Sequence, residues 1–288
     1  MVDYLMHQYS PLRYPGGKSK LTKYIKKMIE TNNLLDGIYV EPYAGGAGVA
    51  ICLLMQEYVS SICINDINKS IYAFWHAVLH QTDDLCQLIH DTEVTVENWD
   101  IQKEVQKNTD NYSMLELGFS TFFLNRSNRS GIIKGGIIGG RNQDGKWKID
   151  ARYNKKNLID RIEKISLYGN RIKLYNLDAS DFISTVIPSF PEKTFIYLDP
   201  PYFNKGQDLY ENHYKPEDHS NVYEQVSTKL KHKWIITYDN VQEIKDLYGK
   251  YRQQVYSLSY SAANRYQGKE VMIYSDNIII PEENIYKN

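Results

Sequence analysis

Short apolar strands alternate with amphipathic helices in residues 37–79 of the chain. Residues 37–41 and 61–65 are predicted strands, and residues 46–56 form a predicted helix between them. A second amphipathic helix follows, and its apolar face consists of Ile71, Phe74, Trp75, Val78 and Leu79. Such alternation predicts an α/β fold with a parallel sheet covered by helices, in which ligands bind beyond the carboxyl ends of the strands.

Strand-forming segments return after residue 170. They occupy residues 172–177, 195–198, 234–238, 253–259 and 271–274, which brings the predicted number of strands to seven. The intervening residues 81–169 contain helical patches and a glycine-rich basic stretch, with a predicted hairpin turn at Asp144-Gly145. We therefore expect one domain built from residues 1–80 and 170–288, with residues 81–169 inserted into it as a second, mostly helical domain.

Charge is unevenly distributed, although the formal net charge of the 288 residues is only −1. Residues 4–29 carry six Lys or Arg and no acids, and residues 126–173 carry thirteen Lys or Arg against four acids. Two basic segments in an otherwise acidic protein are expected when one face meets a polyanion. A solvated surface with scattered lysines is the alternative.

Several other classes of protein find no support in the sequence. No apolar run approaches the length of a membrane span and no signal peptide is recognisable, which predicts a cytoplasmic protein without a membrane partner. The three cysteines form no CxxC pair, so neither a metal site nor a disulfide framework is expected. Residues 16–19 (GGKS) look like part of a phosphate-binding loop, but Leu12 stands where that motif requires glycine.

The predicted strand 195–198 is followed by Asp199-Pro200-Pro201-Tyr202, called the tetrapeptide below. This segment is the strongest indication of chemistry in the sequence. The prolines remove backbone donors and leave carbonyl acceptors beside the Asp199 carboxylate. An amino group on a heteroaromatic ring is a poor nucleophile. A carboxylate and a backbone carbonyl that accept its two hydrogens would turn its lone pair toward an incoming methyl group. Asp199, Pro200 and Tyr202, whose ring would stack on the substrate, are therefore the catalytic candidates; a plain Asp-Pro turn is the alternative.

A glycine-rich loop follows the first predicted strand, in residues 41–48 (EPYAGGAG). Its glycines would let the backbone approach a ligand at the amino terminus of the next helix. Asp66 lies 18 residues after Gly48 at the end of the second strand, where an acid binds the ribose hydroxyls of a nucleoside cofactor. A capping role is the alternative for Asp66. The loop residues predicted to bind the cofactor are Tyr43, Ala44, Gly45 and Gly46.

In their order along the chain, five segments closely resemble the Dam-type DNA adenine N6-methyltransferases. These segments are residues 13–18 (RYPGGK), 41–48, 65–66, 122–126 (FFLNR) and 199–202. The resemblance covers nearly the whole chain and implies a Rossmann-like, seven-stranded, S-adenosylmethionine-dependent methyltransferase fold with an inserted, mostly helical target-recognition domain. It implies methylation of N6 of a flipped adenine in double-stranded DNA, with no metal.

The resemblance also assigns roles to single residues. Tyr14, Lys18, Asp66 and Asp199 would contact S-adenosylmethionine, and Asp181 would hold its adenine. The family more often has Trp where Tyr14 stands, a change that keeps the aromatic face.

The candidates for DNA binding are five residues of the basic stretch: Arg126, Arg129, Arg141, Lys146 and Lys148. Arg126 and Arg129 are predicted to read bases, because arginine can donate two hydrogen bonds to guanine. Lys146 and Lys148 are predicted to contact phosphate from one face of the hairpin.

Two alternatives stay open on the sequence alone. An N-methyltransferase that acts on RNA or on a protein amide carries a related tetrapeptide, although residues 13–18 and the basic insertion disfavour it. A DNA-binding relative without catalysis would have no need of Asp199, Tyr202 and Asp66 together. The recognition sequence and the presence of a cognate restriction endonuclease cannot be read from the sequence.

Overall fold

A computed structural model of the protein describes residues 9–13, 18–204, 214–260 and 266–282. These residues divide into two compact units. The sheet unit comprises the described residues of Lys20–Ala44, Gln56–Asn68 and Arg171–Asn288. The helical unit comprises those of Met1–Ser19, Gly45–Met55 and Lys69–Asn170.

Seven strands of the sheet unit form one mixed sheet in the order β3-β2-β1-β4-β5-β7-β6. The strands are β1 Gly37–Glu41, β2 Val59–Asn65, β3 Ile172–Tyr175, β4 Thr194–Leu198, β5 Lys233–Asp239, β6 Arg252–Tyr260 and β7 Tyr266–Tyr274. Strands β1 to β5 pair in parallel, and β7 lies antiparallel between β5 and β6. This arrangement confirms the predicted Rossmann-like fold with a seven-stranded sheet.

The central strand β4 is buried at every position, as expected for a parallel strand covered on both faces. Its residues Ile196 and Leu198 belong to the core of the sheet unit. Two helices contribute to that core, Pro216–Lys229 through Val222 and Val226 and Gln242–Leu247 through Ile244. Burial of these apolar side chains stabilises β4 within the core, and the tetrapeptide begins directly after this strand. Helix α1 (Thr22–Thr31) also belongs to this unit.

The helical unit contains six helices of eight or more residues among its described residues. They are α2 Gly48–Met55, α3 Lys69–His80, α4 Thr82–Asp91, α5 Val96–Lys107, α6 Met114–Ser127 and α7 Lys155–Ser166. A capping box between Ser113 and Glu116 starts α6. Gly118 lets α6 approach α3 closely, since a Cβ there would lie 2.6 Å from the Ala73 carbonyl oxygen.

The predicted insertion, residues 81–169, lies within the helical unit, which also includes α2 and α3. Its function in target recognition stays a prediction. The predicted hairpin at Asp144-Gly145 is wrong, because residues 139–153 form turns without strand pairing. The Gln143 side chain takes the place of a strand ladder: it donates to the carbonyls of Ile138 and Gly140 and accepts from the Ile149 amide.

No helix in the described part of the chain is long and apolar enough to cross a membrane.

Candidate active site

The tetrapeptide begins directly after the central strand β4, at the carboxyl edge of the sheet. Leu198, the last residue of β4, pairs with Ile236 of β5, so Asp199 lies beside Thr237. The Thr237 hydroxyl donates a hydrogen bond of 2.7 Å to Asp199 Oδ1. Thr237 Oγ1 also lies 3.0 Å from the Tyr197 hydroxyl, which can donate to it. A chain of two hydroxyls therefore orients the Asp199 carboxylate.

Tyr202 is almost fully enclosed, with 3% of its surface exposed. Its hydroxyl donates to a carboxylate oxygen of Glu270 on β7. Stacking of a base on this ring requires that the residues covering it move. The predicted stacking role of Tyr202 and the acceptor role of the Pro200 carbonyl stay predictions.

A small recess lies at the same edge of the sheet unit, beyond β1 and β2. Its lining combines one carboxylate, two phenol rings and small apolar groups, contributed by Pro42, Tyr43, Asn65, Asp66, Ile67, Ala179 and Tyr214. Parallel strands open such recesses at their carboxyl ends, where doubly wound proteins bind nucleosides. The predicted cofactor residues Tyr43 and Asp66 are brought together here, and Asp66 Oδ1 also accepts from the Asn68 amide as a local cap.

Asn65 is a residue of this edge to which the sequence analysis gave no role. Fully buried, it holds three loops together. Its side-chain amide donates to the carbonyls of Pro42 and Leu177, and its Oδ1 accepts from the Leu177 amide. Its backbone carbonyl accepts from the Ala44 amide. Asn65 thus fixes the loop after β1, including Ala44, relative to the loop after β3.

Tyr214 is a second residue that the sequence analysis did not select. Its hydroxyl donates to the Tyr43 hydroxyl at 3.2 Å, and the two rings meet edge to face. Burial raises the pKa of Tyr214 to about 12 and holds the pKa of Tyr43 well above its usual value. Both phenols therefore remain neutral at physiological pH, which suits contact with an uncharged nucleoside. No periodic pattern in the sequence pointed to Tyr214.

Asp181 lies at the end of the short helix α8 (Ala179–Asp181), whose first residue lines the recess. Its side chain is exposed, while Asp178 caps the helix by accepting from the Ser180 amide at 2.8 Å. The proposed contact of Asp181 with a cofactor adenine stays a prediction.

Other predicted cofactor residues lie in the helical unit or outside the described residues. Gly45 has a positive φ of 47°, and its carbonyl accepts from the indole of Trp75 at 2.9 Å. The Gly46 carbonyl accepts from the Ser10 hydroxyl. Lys18 is buried, with 5% of its surface exposed. Tyr14 lies outside the described residues.

The sequence of the chain matches one protein family over most of its length. The D12 class N6 adenine-specific DNA methyltransferases match residues 14–264. The chain belongs to this family. The Type II methyltransferase M.MjaIII of Methanocaldococcus jannaschii is 21% identical to this methyltransferase over 207 residues, which cover 66% of the chain and 68% of that protein.

Two solved methyltransferase structures are similar to this chain over almost its whole length, with low TM-scores. The rRNA methyltransferase aviRa of Streptomyces viridochromogenes is 10% identical, with 96% of this chain and 94% of that one covered and a TM-score of 0.41. A precorrin-6y C5,15-methyltransferase of Geobacter metallireducens GS-15 is 9% identical, with 96% and 100% covered and a TM-score of 0.38.

Arg126, a predicted base reader of this methyltransferase, is buried in the helical unit with 7% of its surface exposed. Its guanidinium donates through both Nε and a terminal nitrogen to the Pro11 carbonyl. Burial, together with the charges of Arg161 and Arg13, lowers the pKa of Arg126 to about 9. The side chain holds the segment before residue 14, a structural task that the sequence analysis did not predict.

Asn125, the neighbour of Arg126, connects two of the family segments through hydrogen bonds. Its Oδ1 accepts from the Arg13 amide at 2.7 Å, and its Nδ2 donates to the carbonyls of Arg13 and Gly131. Gly131 must lack a side chain, since its φ is +78° and a Cβ would lie 2.4 Å from the Arg13 carbonyl oxygen. Residues 122–126 thus anchor the beginning of residues 13–18.

The other four DNA-binding candidates are exposed on the helical unit. Arg141 forms a two-pronged ion pair with Asp100 of α5, at 2.8 and 2.7 Å. Lys148 donates to the Gln143 carbonyl, and Lys146 Nζ lies 5.7 Å from the ring centre of the exposed Trp147. Because these residues lie in turns, strand alternation does not place Lys146 and Lys148 on one face. Their contacts with DNA, like that of Arg129, stay predictions.

Among the described residues, no group of three or more His, Cys, Asp or Glu side chains is placed to hold a metal ion.

Proposed function

We propose that the protein is a site-specific DNA methyltransferase that transfers a methyl group to N6 of an adenine flipped out of double-stranded DNA. The observation that carries the proposal is the position of Asp199 at the carboxyl end of the central strand, in a chain of the D12 class family. S-adenosylmethionine is the methyl donor, and when bound it supplies an electrophilic methyl group.

The side chains that line the recess at the ends of β1 and β2 suit the nucleoside part of that donor. It offers a carboxylate at Asp66, which can accept from ribose hydroxyls, and neutral phenols at Tyr43 and Tyr214. Ile67 and Ala179 add apolar surface that suits a purine ring. We assign Tyr43, Ala44, Gly45, Gly46 and Asp66 to donor binding, together with Tyr14, Lys18, Asp181 and Asp199 by family resemblance.

In the proposed reaction, Asp199 and the Pro200 carbonyl accept the two hydrogens of the adenine amino group. A carboxylate has about four acceptor sites, so Asp199 can hold an amino hydrogen while it accepts from Thr237. Acceptors on both hydrogens favour a pyramidal nitrogen, whose lone pair can attack a methyl group. Tyr202 supplies the aromatic ring on which the flipped base stacks.

The substrate assignment is tested by incubation with labelled donor on defined DNA, RNA and protein, followed by analysis of the modified nucleosides. We expect N6-methyladenine in double-stranded DNA and no label in the other substrates. Label in RNA or in a protein amide would overturn the proposal. The Type II name of the relative from Methanocaldococcus jannaschii favours a restriction–modification context with a cognate endonuclease as partner.

A further inference from the structure

Strand β5 extends beyond β4 at the carboxyl edge of the sheet unit. Their pairing ends with Leu198 opposite Ile236, whereas β5 continues to Asp239. The tetrapeptide and the two residues after it therefore run beside the overhanging end of β5. Prolines 200 and 201 have no amide hydrogen, so they cannot continue a strand ladder there.

Side chains of β5 take the place of that ladder. Asp239 accepts from the amides of Phe203 and Asn204 through its two carboxylate oxygens, at 2.8 and 3.0 Å. Thr237, two residues earlier and so on the same face of β5, donates to Asp199. The two side chains are 4% and 0% exposed. They hold the tetrapeptide at its first residue and just beyond its last.

Glu270 holds the last residue of the tetrapeptide. It pairs directly across the sheet with Asp239, so both carboxylates stand on one face. Its two oxygens accept from the hydroxyls of Tyr202 and Tyr256, and the residue is 1% exposed. The Tyr202 ring thus has its hydroxyl end fixed to β7.

Two buried carboxylates in directly opposed positions are a costly way to stabilise a sheet. Like charges opposite each other destabilise a pair of strands, and a buried carboxylate must be compensated by hydrogen-bond donors. Here Asp239 and Glu270 receive donors from residues 202–204. An apolar pair would serve packing as well, but it would leave these donors without acceptors.

We propose that Thr237, Asp239 and Glu270 are positioning residues that hold the tetrapeptide in its reactive geometry. The three residues are called the clamp below. The proposal rests on the proposed function, in which Asp199 and Tyr202 contact the target adenine. Asp239 and Glu270 contact residues 202–204, which are not assigned to donor binding, so loss of either acid should lower kcat while leaving the KM for S-adenosylmethionine within about twofold.

A double-mutant cycle tests the link between Glu270 and Tyr202. Glu270→Gln and Tyr202→Phe should each lower kcat by about tenfold, the effect of one charge-assisted hydrogen bond. Because Glu270→Gln removes the charge of this hydrogen bond and Tyr202→Phe removes its donor, the double variant should lose no more than the worse single variant. The matched control is Tyr274→Phe, a buried β7 tyrosine whose hydroxyl bonds Gln254 and Tyr24, with activity expected within twofold. Losses that multiply in the double variant would overturn the proposal for Glu270.

Hydrogen exchange gives a readout that needs no substrate. Asp239→Asn replaces one acceptor by a donor, so one of the two amides, of Phe203 or of Asn204, loses its acceptor and should exchange at least tenfold faster under conditions in which the variant is folded. Thr237→Val should lower kcat, and Thr237→Ser should restore it. Unchanged exchange in Asp239→Asn would overturn the clamp, whereas a wild-type protein that methylates no DNA would contradict the proposed function instead. If Asp239→Asn does not fold, the double-mutant cycle of Glu270 and Tyr202 tests the clamp. If the protein methylates no DNA, hydrogen exchange at the Tyr202 amide replaces kcat as the quantity measured in that cycle.

Discussion

The carboxyl edge of the sheet and the basic stretch (residues 126–152) use charged side chains differently. At the sheet edge, the acids Asp239 and Glu270 are buried and accept from residues 202–204, which follow Asp199 and the two prolines. In the basic stretch, Arg126 is buried against the Pro11 carbonyl, while Arg129 is exposed three residues later. A count of charged residues along the sequence therefore overestimates how many basic side chains can face DNA. It also overlooks buried acids that hold the residues of a site in position.

The sheet edge should show the largest loss of function in the molecule on a single substitution. Asp199→Ala removes the only side-chain acceptor proposed for the adenine amino group, so methyl transfer should fall by at least about a thousandfold. The unfolding midpoint should change little, because Asp199 is half-exposed beyond the end of β4. Labelled-donor assays and urea unfolding measure the two effects.

The control for this loss comes from the other region. Asp150→Ala removes an exposed aspartate of the basic stretch and should leave turnover within about twofold. Wild-type turnover by a folded Asp199→Ala protein would contradict the mechanism.

Arg126 should affect stability more than sequence preference. Arg126→Ala leaves the Pro11 carbonyl without its donor and removes buried packing, at a cost of about 2 kcal/mol in the free energy of unfolding. Urea unfolding measures this loss. The exposed Arg129 is the matched control, because Arg129→Ala should change stability by less than about 0.5 kcal/mol. Normal stability with altered base preference in Arg126→Ala would instead support the base-reading role predicted from the sequence.

Much of the sheet edge could be predicted from the sequence. The apolar runs at residues 37–41 and 195–198 correspond to β1 and β4, since buried parallel strands need continuous apolar residues. Parallel topology then places Asp66 and Asp199 at one edge. These inferences need only local pattern and the direction of the chain.

The partners of those residues could not be predicted in the same way. Thr237 and Glu270 are each one of several polar residues in β5 and β7, and only the strand register brings them beside Asp199 and Tyr202. The prediction of a hairpin at Asp144-Gly145 was wrong for a related reason. The turn signal at Asp144-Gly145 was local, but the contacts of the Gln143 side chain decide the shape of the segment.

Arg129 is the arginine of the basic stretch that best fits base reading, because it is exposed and, among the described residues, it forms no ion pair of the kind that Arg141 forms with Asp100. Arg129→Ala should reduce discrimination between the cognate duplex and single mismatches by about tenfold. The cognate site is first mapped from methylated DNA, and binding is then measured on both duplexes. Arg141→Ala is the comparison, with a smaller effect on discrimination. Equal weakening on all sequences in Arg129→Ala would make it a phosphate contact.

The smallest effects are expected from the two exposed lysines beside Trp147. Lys146→Ala and Lys148→Ala should each weaken binding by less than about tenfold on every sequence, and each should reduce the salt dependence by about one counterion. Lys148 donates to the Gln143 carbonyl, which holds its ammonium against the turn, whereas Lys146 lies beside the Trp147 ring. Lys146→Ala should therefore have the larger effect of the two. Titrations of cognate and mismatched duplexes at several salt concentrations measure both quantities. A change of sequence preference in either lysine variant, with Arg129→Ala silent, would reverse the assignment of readers and phosphate contacts in the basic stretch, while the sheet edge would keep its role.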